Sequence, residues 1–224
     1  MSFRRIGYGA LILSLSAQTG FAADPARGPF ADPATITLED YLPSSADGFD
    51  ETIPRPMQWL GHEVGAGYAR HDQVVAWFRE LAEVSSRVSV VDLGRSYEGR
   101  PQITAIITSP SNHRSLNLIQ ERHMDGDADA PIITWHGYSV HGNEASGTQA
   151  SLVVAWYLAA SQDPDVEALL KDTVVMIDPS LNPDGYGRFS NWGNQTGGRV
   201  PVADPAHRQR AEPWPCLLYT SPSP

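Results

Sequence analysis

The stretch PIITWHGYSVHGNEASG, residues 131–147, decides the predicted fold. It begins with an apolar run, Ile132–Trp135, that lies between Pro131 and Gly137. A short, β-branched run bounded in this way is typical of a buried strand, so we predict a strand that ends near His136. After this stretch the apolar residues recur at helical spacing, which predicts a helix. They are Leu152, Ala155, Trp156 and Ala159.

The loop His141-Gly142-Asn143-Glu144 joins the predicted strand to the predicted helix. An imidazole and a carboxylate three residues apart, on a turn that enters a helix, can converge on one cation. Zinc accepts both kinds of donor at about 2.0 to 2.2 Å. His-x-x-Glu also occurs often by chance, so the residues alone leave that alternative open. The position favours a ligand role, because open α/β sheets bind ligands at the carboxyl ends of their strands.

Three motifs follow one another along the chain: LGRSYEGRP at 93–101, HGNEASG at 141–147 and SLNPDGYGRF at 180–189. Together they resemble the zinc carboxypeptidases of the M14, carboxypeptidase A-like type, over about residues 68–192. The resemblance implies hydrolysis of the C-terminal peptide bond of a peptide or protein. It also implies Zn²⁺ as the cofactor, with the His and Glu of the second motif as two of its ligands.

By this match the two zinc ligands are His141 and Glu144. The resemblance further implies an arginine that polarises the scissile carbonyl and stabilises the oxyanion, a role that suits a permanently charged, planar group. Arg188 is the nearest candidate for this arginine, and Arg199 is a weaker one. Substrate-binding residues stay unassigned.

The resemblance also implies further functional residues, and no motif in this chain matches them. They are a second His as third ligand, a Glu as general base, an Asn-Arg pair for the substrate carboxylate and a pocket Tyr. After Glu144 the only histidine is His207, in a run rich in Pro and Arg without the pattern of a ligand loop. We therefore expect weak zinc binding and negligible turnover from this polypeptide. Whether His207 or His136 touches the site stays open.

The predicted domain organisation has four parts. Residues 1–22 combine two arginines, an apolar run and small residues at a cleavage position, which is typical of a secretory signal peptide and too short for a membrane span. Residues 23–67 form an N-terminal extension, and 68–215 form the peptidase domain, truncated at its C-terminal end. Residues 216–224, CLLYTSPSP, are expected to be a non-native tail. We expect a bacterial protein, secreted or periplasmic, without a membrane span after cleavage.

The composition excludes a nucleic-acid-binding protein and a protein held together by disulfides. The formal net charge is −10, and an acidic protein is unsuited to nucleic acid, whose phosphates require a basic surface. The chain has one cysteine, Cys216, so a disulfide framework is also excluded.

The remaining patterns complete the predicted fold. Residues 88–93 and 103–108 predict a hairpin, whose turn carries Arg95, Glu98 and Arg100. We interpret these charges as a solvated turn with local ion pairs. Residues 173–177 predict a second buried strand, parallel to the first because a helix separates the two.

The tetrad Asn182-Pro183-Asp184-Gly185 is typical of a turn. The predicted fold class is α/β, with a mixed, largely parallel sheet and helices on both faces, zinc carboxypeptidase-like, with the C-terminal part missing. Alternative functions on the same fold are a zinc amidohydrolase or deacylase and an enzyme that trims murein peptides. An alternative of another class is a noncatalytic binding domain.

Overall fold

A computed structural model describes residues 36–43, 46 and 48–196. A 3-10 helix, Leu38–Tyr41, comes first. The strands are β1 (Val88–Arg95), β2 (Pro101–Ile107), β3 (Ile132–Gly137) and β4 (Thr173–Asp178). The helices are α1 (Pro56–Leu60), α2 (His71–Val84), α3 (Pro110–His113), α4 (Leu116–Met124), α5 (Ala145–Ala160), α6 (Pro164–Asp172) and α7 (Pro183–Thr196). The predicted signal peptide and the predicted tail lie outside the described residues.

The four strands form one sheet in the order β1-β2-β4-β3. β1 and β2 pair antiparallel, as the predicted hairpin requires, and β2 pairs antiparallel with β4. β3 and β4 pair parallel, with Ile132 opposite Thr173 and Gly137 opposite Asp178. The prediction of a mixed α/β sheet is therefore confirmed. The parallel share is smaller than expected, since only one of the described pairings is parallel.

One hydrophobic core lies between the sheet and helices α2 and α5. β2 contributes Ile103, Ala105 and Ile107, which alternate along the strand and therefore share one face. Trp77 of α2 and Trp156 of α5 are almost completely buried. Burial of a large apolar side chain stabilises a fold by about 1.5 to 3 kcal/mol. The described part of the predicted extension joins the same core, through Leu38, Ile53, Leu60 and Val64.

Helix α7 is held by a second, smaller cluster. Tyr186 and Phe189 are buried against Ala145, with Tyr68 and Trp192 packed on them. The Tyr186 hydroxyl donates to the Ala69 carbonyl at 2.6 Å, and burial raises the pKa of this phenol well above its usual value. The first turn of α7 is thus fixed beside the start of α5. Among the described helices, none is both long and apolar enough to cross a bilayer.

The prediction that Ile132–Trp135 is a buried strand is wrong. β3 lies at one edge of the described sheet, where the side chains of Ile132, Ile133 and Trp135 are 65%, 42% and 61% exposed. β-branched and aromatic residues favour a strand wherever it lies in a sheet. Its place in the sheet depends instead on which other strands pair with it, and that is a long-range property.

Substitution Ile133→Lys is expected to reduce self-association of the protein. An exposed, apolar edge strand without charged residues is a template for pairing with another chain, and a lysine opposes that pairing. Light scattering over a concentration series measures the effect. Leu118→Lys is the matched control, because Leu118 is 56% exposed on α4 and the charge change is the same. Equal effects of the two variants would mean that net charge, and not the β3 edge, controls association.

Candidate metal centre

His141 and Glu144 meet on the loop between β3 and α5. The His141 Nδ1 atom lies 2.9 Å from Glu144 Oε1, and the His141 backbone N–H donates to Oε2 of the same carboxylate at 3.1 Å. The Glu144 N–H donates in turn to the His141 carbonyl at 3.0 Å. Both side chains are more than half exposed, at 58% and 54%. The structure therefore brings the two predicted ligands together on an accessible surface.

The charge state of Glu144 suits a cation. Burial raises the pKa of this carboxyl, but hydrogen bonds from the His141 imidazole and backbone N–H lower it more, and the net pKa lies below the usual value. The carboxylate is thus ionised at neutral pH, the form in which it binds metal. A nitrogen and an oxygen that bind one zinc ion at about 2.0 to 2.2 Å lie farther apart than this hydrogen-bonded pair. Binding through Nδ1 would therefore require this nitrogen to lose its proton and the two atoms to separate slightly.

An imidazole and a carboxylate fit zinc in kind and in position, and the sequence predicts them as two of its ligands. Within residues 36–43, 46 and 48–196, no group of three or more His, Cys, Asp or Glu side chains is arranged to hold a metal ion. His136 is exposed on β3 opposite Ile177. His207 and Arg199 lie outside the described residues, so their predicted contributions stay predictions.

The loop of residues 138–144, which carries the two predicted ligands and is called the ligand loop below, is tied to the chain that leaves β4. The Tyr138 N–H donates to the Asp178 carbonyl at 3.0 Å, and the Leu181 N–H donates to the Tyr138 carbonyl at 2.8 Å. The Asn182 N–H donates to the carbonyl of Ser139 at 3.1 Å. These bonds continue the pairing of β3 and β4 beyond the ends of the strands. The second and third motifs of the sequence therefore lie side by side.

The second and third motifs contact each other through the backbone atoms of Gly142 and Gly185. A Cβ atom on Gly142 would lie 2.0 Å from the carbonyl carbon of Gly185, and one on Gly185 would lie 3.1 Å from the Cα of Gly142. Contacts this close exclude any side chain at Gly142 unless the backbone moves. No sequence pattern predicted this contact, although a glycine inside each motif is a signal that could have suggested it.

The prediction of a turn at Asn182-Pro183-Asp184-Gly185 is wrong, because helix α7 begins at Pro183. The Asn182 Oδ1 atom accepts from the Gly185 N–H at 3.0 Å, and the Asn182 carbonyl accepts from the Tyr186 N–H at 2.9 Å. Asn is a preferred N-cap residue and Pro is favoured at the first helical position. The residue types that favour a turn therefore also open a helix.

The charged residues of the β1–β2 turn are also arranged differently from the prediction. The side chain of Asp184, only 14% exposed, accepts from Ser96 Oγ at 2.6 Å, the Glu98 N–H at 3.1 Å and Arg100 Nη1 at 2.8 Å. Arg100 and Arg188 both contact the carboxylate of Glu98. The turn is therefore not merely solvated, because these contacts connect it to the first turn of α7.

Arg188, the predicted oxyanion stabiliser, lies on α7 and pairs with Glu98 of this turn. A guanidinium carries five N–H donors, so this pairing does not by itself prevent a contact with substrate. Its catalytic role stays a prediction.

The sheet and the loop together define a class: an α/β protein with a paired histidine and carboxylate between a parallel strand and the following helix. The family model described as zinc carboxypeptidase, Peptidase M14, matches residues 74–211, more than half of the chain. The chain belongs to the zinc carboxypeptidase family. This confirms the resemblance found in the three sequence motifs.

Individual relatives are similar over part of their length. Carboxypeptidase Z of Gallus gallus is 28% identical over 159 residues, which are 70% of this chain and 21% of that protein. Carboxypeptidase D of Drosophila melanogaster is 31% identical over 130 residues, 57% of this chain and 8% of that protein. The crystal structure of carboxypeptidase A from Helicoverpa armigera matches with a TM-score of 0.41 and 22% identity, over 62% of this chain and 33% of that chain. The chain thus spans about a fifth of carboxypeptidase Z.

Proposed function

We propose that this polypeptide belongs to a zinc-dependent metallocarboxypeptidase that hydrolyses the C-terminal peptide bonds of peptides or proteins. Membership of the zinc carboxypeptidase family supports the reaction class. The observation that carries the proposal is the 2.9 Å approach of His141 Nδ1 to Glu144 Oε1 within the family's His-x-x-Glu motif. An exported location, secreted or periplasmic, is part of the proposal and is supported by the amino-terminal sequence.

His141 and Glu144 would hold the zinc ion. When bound, zinc polarises the scissile carbonyl and lowers the pKa of a bound water toward about 7. The chain's own contribution is to present both ligand atoms from one rigid loop, which Gly142 and Gly185 fix against the start of α7. Arg188 is proposed to stabilise the developing oxyanion through its permanent charge.

The proposal includes an incomplete metal shell in the 224-residue polypeptide. Two ligands lie in the described part, and the third ligand and the general base have no counterpart by motif. Zinc affinity depends on the complete set of ligands and on the groups that orient them. We therefore expect weak zinc binding and negligible turnover from this polypeptide. We expect tight zinc binding and measurable turnover from a longer gene product that includes the downstream part.

The proposal is tested by measuring zinc content and peptide hydrolysis. Both are measured on the polypeptide alone and on the longer gene product. The substrates are two peptides of equal sequence, one with a free and one with an amidated C-terminus. We expect near-stoichiometric zinc only in the longer protein, and cleavage only of the free peptide. Glu144→Gln should abolish both, whereas Glu83→Gln, an exposed position on α2, should change neither.

Two outcomes would contradict parts of this proposal. Tight zinc binding and cleavage by the 224-residue polypeptide would mean that a third ligand such as His207 lies within it. Cleavage of acylated amino acids or murein peptides, without cleavage of the free peptide, would replace the carboxypeptidase by one of the alternative hydrolases. Zinc binding without any hydrolysis would favour the noncatalytic domain.

A further inference from the structure

Ser139 adopts a backbone conformation that its residue type disfavours. Its φ angle is 49°, and it is the one residue other than glycine with positive φ among those that the structure describes. It is 4% exposed and lies between β3 and His141. A non-glycine residue stays in the left-handed region only where its surroundings hold it there, and such residues cluster at functional sites.

Hydrogen bonds account for this conformation. The Ser139 Oγ atom lies 2.9 Å from the Glu144 carbonyl oxygen and 2.8 Å from Thr148 Oγ1. Thr148, fully buried in the first turns of α5, donates its hydroxyl to the Pro179 carbonyl at 2.6 Å. The Ser139 carbonyl accepts from the Asn182 N–H. Ser139 thus connects three segments: the ligand loop, helix α5 and the chain leaving β4.

The direction of the two bonds to carbonyls follows from a count of protons. The Pro179 carbonyl can only accept, so it takes the hydroxyl proton of Thr148. The Glu144 carbonyl likewise can only accept, so it takes the hydroxyl proton of Ser139. Either hydroxyl can be the donor in the 2.8 Å contact between them, which makes one of the two bonds to carbonyls three-centred. Thr148 therefore orients the Ser139 hydroxyl, and the Ser139 hydroxyl holds the backbone of Glu144.

We propose that Ser139, oriented by Thr148, is a positioning residue for the metal ligand Glu144. Glu144 is the N-cap residue of α5, with φ −84° and ψ 49°, outside the regular helix. Its carbonyl is held by Ser139 while its carboxylate lies against His141. Fixing the carbonyl fixes the backbone from which the carboxylate projects, and so keeps it directed at the imidazole. This inference rests on the proposed zinc site.

The test uses the longer gene product of the proposal above and four of its variants. Ser139→Ala removes the hydroxyl and leaves the unfavourable backbone conformation. Ser139→Gly removes the hydroxyl and also relieves that conformation. Thr148→Ser keeps a hydroxyl in place. Ser151→Ala is the matched control, because Ser151 is fully buried on the same helix and its hydroxyl donates at 2.6 Å to the Thr148 carbonyl, away from the ligand loop.

Cobalt affinity, the visible absorption of the cobalt form and the thermal midpoint are measured for each variant. Groups that orient metal ligands typically contribute about 10-fold to 100-fold to metal affinity. We expect both Ser139 variants to lose cobalt affinity by at least about 10-fold and to change the absorption band. We expect Ser139→Gly to melt no lower than the Ser139→Ala variant. Ser151→Ala should melt lower than wild type and bind cobalt as wild type does, and Thr148→Ser should retain wild-type affinity.

Unchanged cobalt affinity in Ser139→Gly and Ser139→Ala would overturn the inference. So would a loss of affinity in Ser151→Ala as large as that in Ser139→Ala, since a general loss of stability would then explain both. Absence of metal binding in the wild-type gene product would overturn the proposed zinc site, and this inference with it. Wild-type binding with unaffected Ser139 variants would overturn this inference alone.

Discussion

Gly142→Ala is expected to destabilise the fold by about 3 kcal/mol or more, above the usual range for overpacking. The added Cβ would lie 2.0 Å from the carbonyl carbon, 2.4 Å from the Cα and 2.5 Å from the oxygen of Gly185. All three contacts are with backbone, so no change of side-chain rotamer can relieve them. The loop that carries His141 and Glu144 would have to separate from α7. Urea unfolding measures the change in the free energy of unfolding.

Gly147→Ala is the control for this prediction. Gly147 lies in the first turn of α5, and an added Cβ would be 3.2 Å from Cδ1 of the Tyr138 ring, which can shift slightly. Alanine also gains up to about 1 kcal/mol of helix propensity over glycine. We expect a change near zero. If Gly142→Ala unfolds at the same urea concentration as Gly147→Ala, then the ligand loop and α7 are not in the close contact described above.

The contrast between these glycines shows which parts of the site a sequence can reveal. His141 and Glu144 were predicted because three residues of local chain decide whether their side chains can meet. The contact of Gly142 with Gly185 joins two motifs that only the sheet brings together. Each glycine was visible in its motif, but the partner that makes it necessary was not.

Strand β3 shows the same limit in the fold. Its residue types gave the correct element and, with the following helices, the correct parallel pairing with β4. Burial was predicted wrongly because a central and an edge strand can have the same apolar composition. What separates them is whether a further strand pairs alongside, which local sequence does not contain.

Helix α7 was missed although a signal for it was present. Asn, Pro and Asp suit both a turn and a helix N-terminus, so the residues that follow decide between them. Tyr186, Phe189 and Trp192 recur every three residues, and all three belong to the second cluster. This helical spacing outweighs the turn signal of the tetrad. Ser139 and Thr148, in contrast, carry no sequence signal, because their role depends on hydroxyl geometry.

Asp184→Ala is expected to destabilise the protein by about 1 to 3 kcal/mol, since it leaves three donors without the acceptor that they share. Ser96 Oγ, the Glu98 N–H and one guanidinium nitrogen of Arg100 all donate to this carboxylate, whose side chain is only 14% exposed. Its loss also weakens the link between α7 and the β1–β2 turn, where the pair of Arg188 with Glu98 stays in place. Asp184→Asn should lose less, because an amide oxygen can still accept from two of the donors.

Asp92→Ala is the matched control, since it removes the same side chain from another aspartate–arginine pair. Asp92 accepts from Arg79 at 2.6 Å, but its side chain is 65% exposed. Exposed pairs contribute about 0 to 1 kcal/mol and are screened by salt, so this small effect should shrink further in concentrated salt. The effect of Asp184→Ala should shrink less there, because its carboxylate is largely shielded from solvent and salt. Equal effects of the two substitutions in urea unfolding would restore the first interpretation of the β1–β2 turn, in which its charges are solvated and form only local ion pairs.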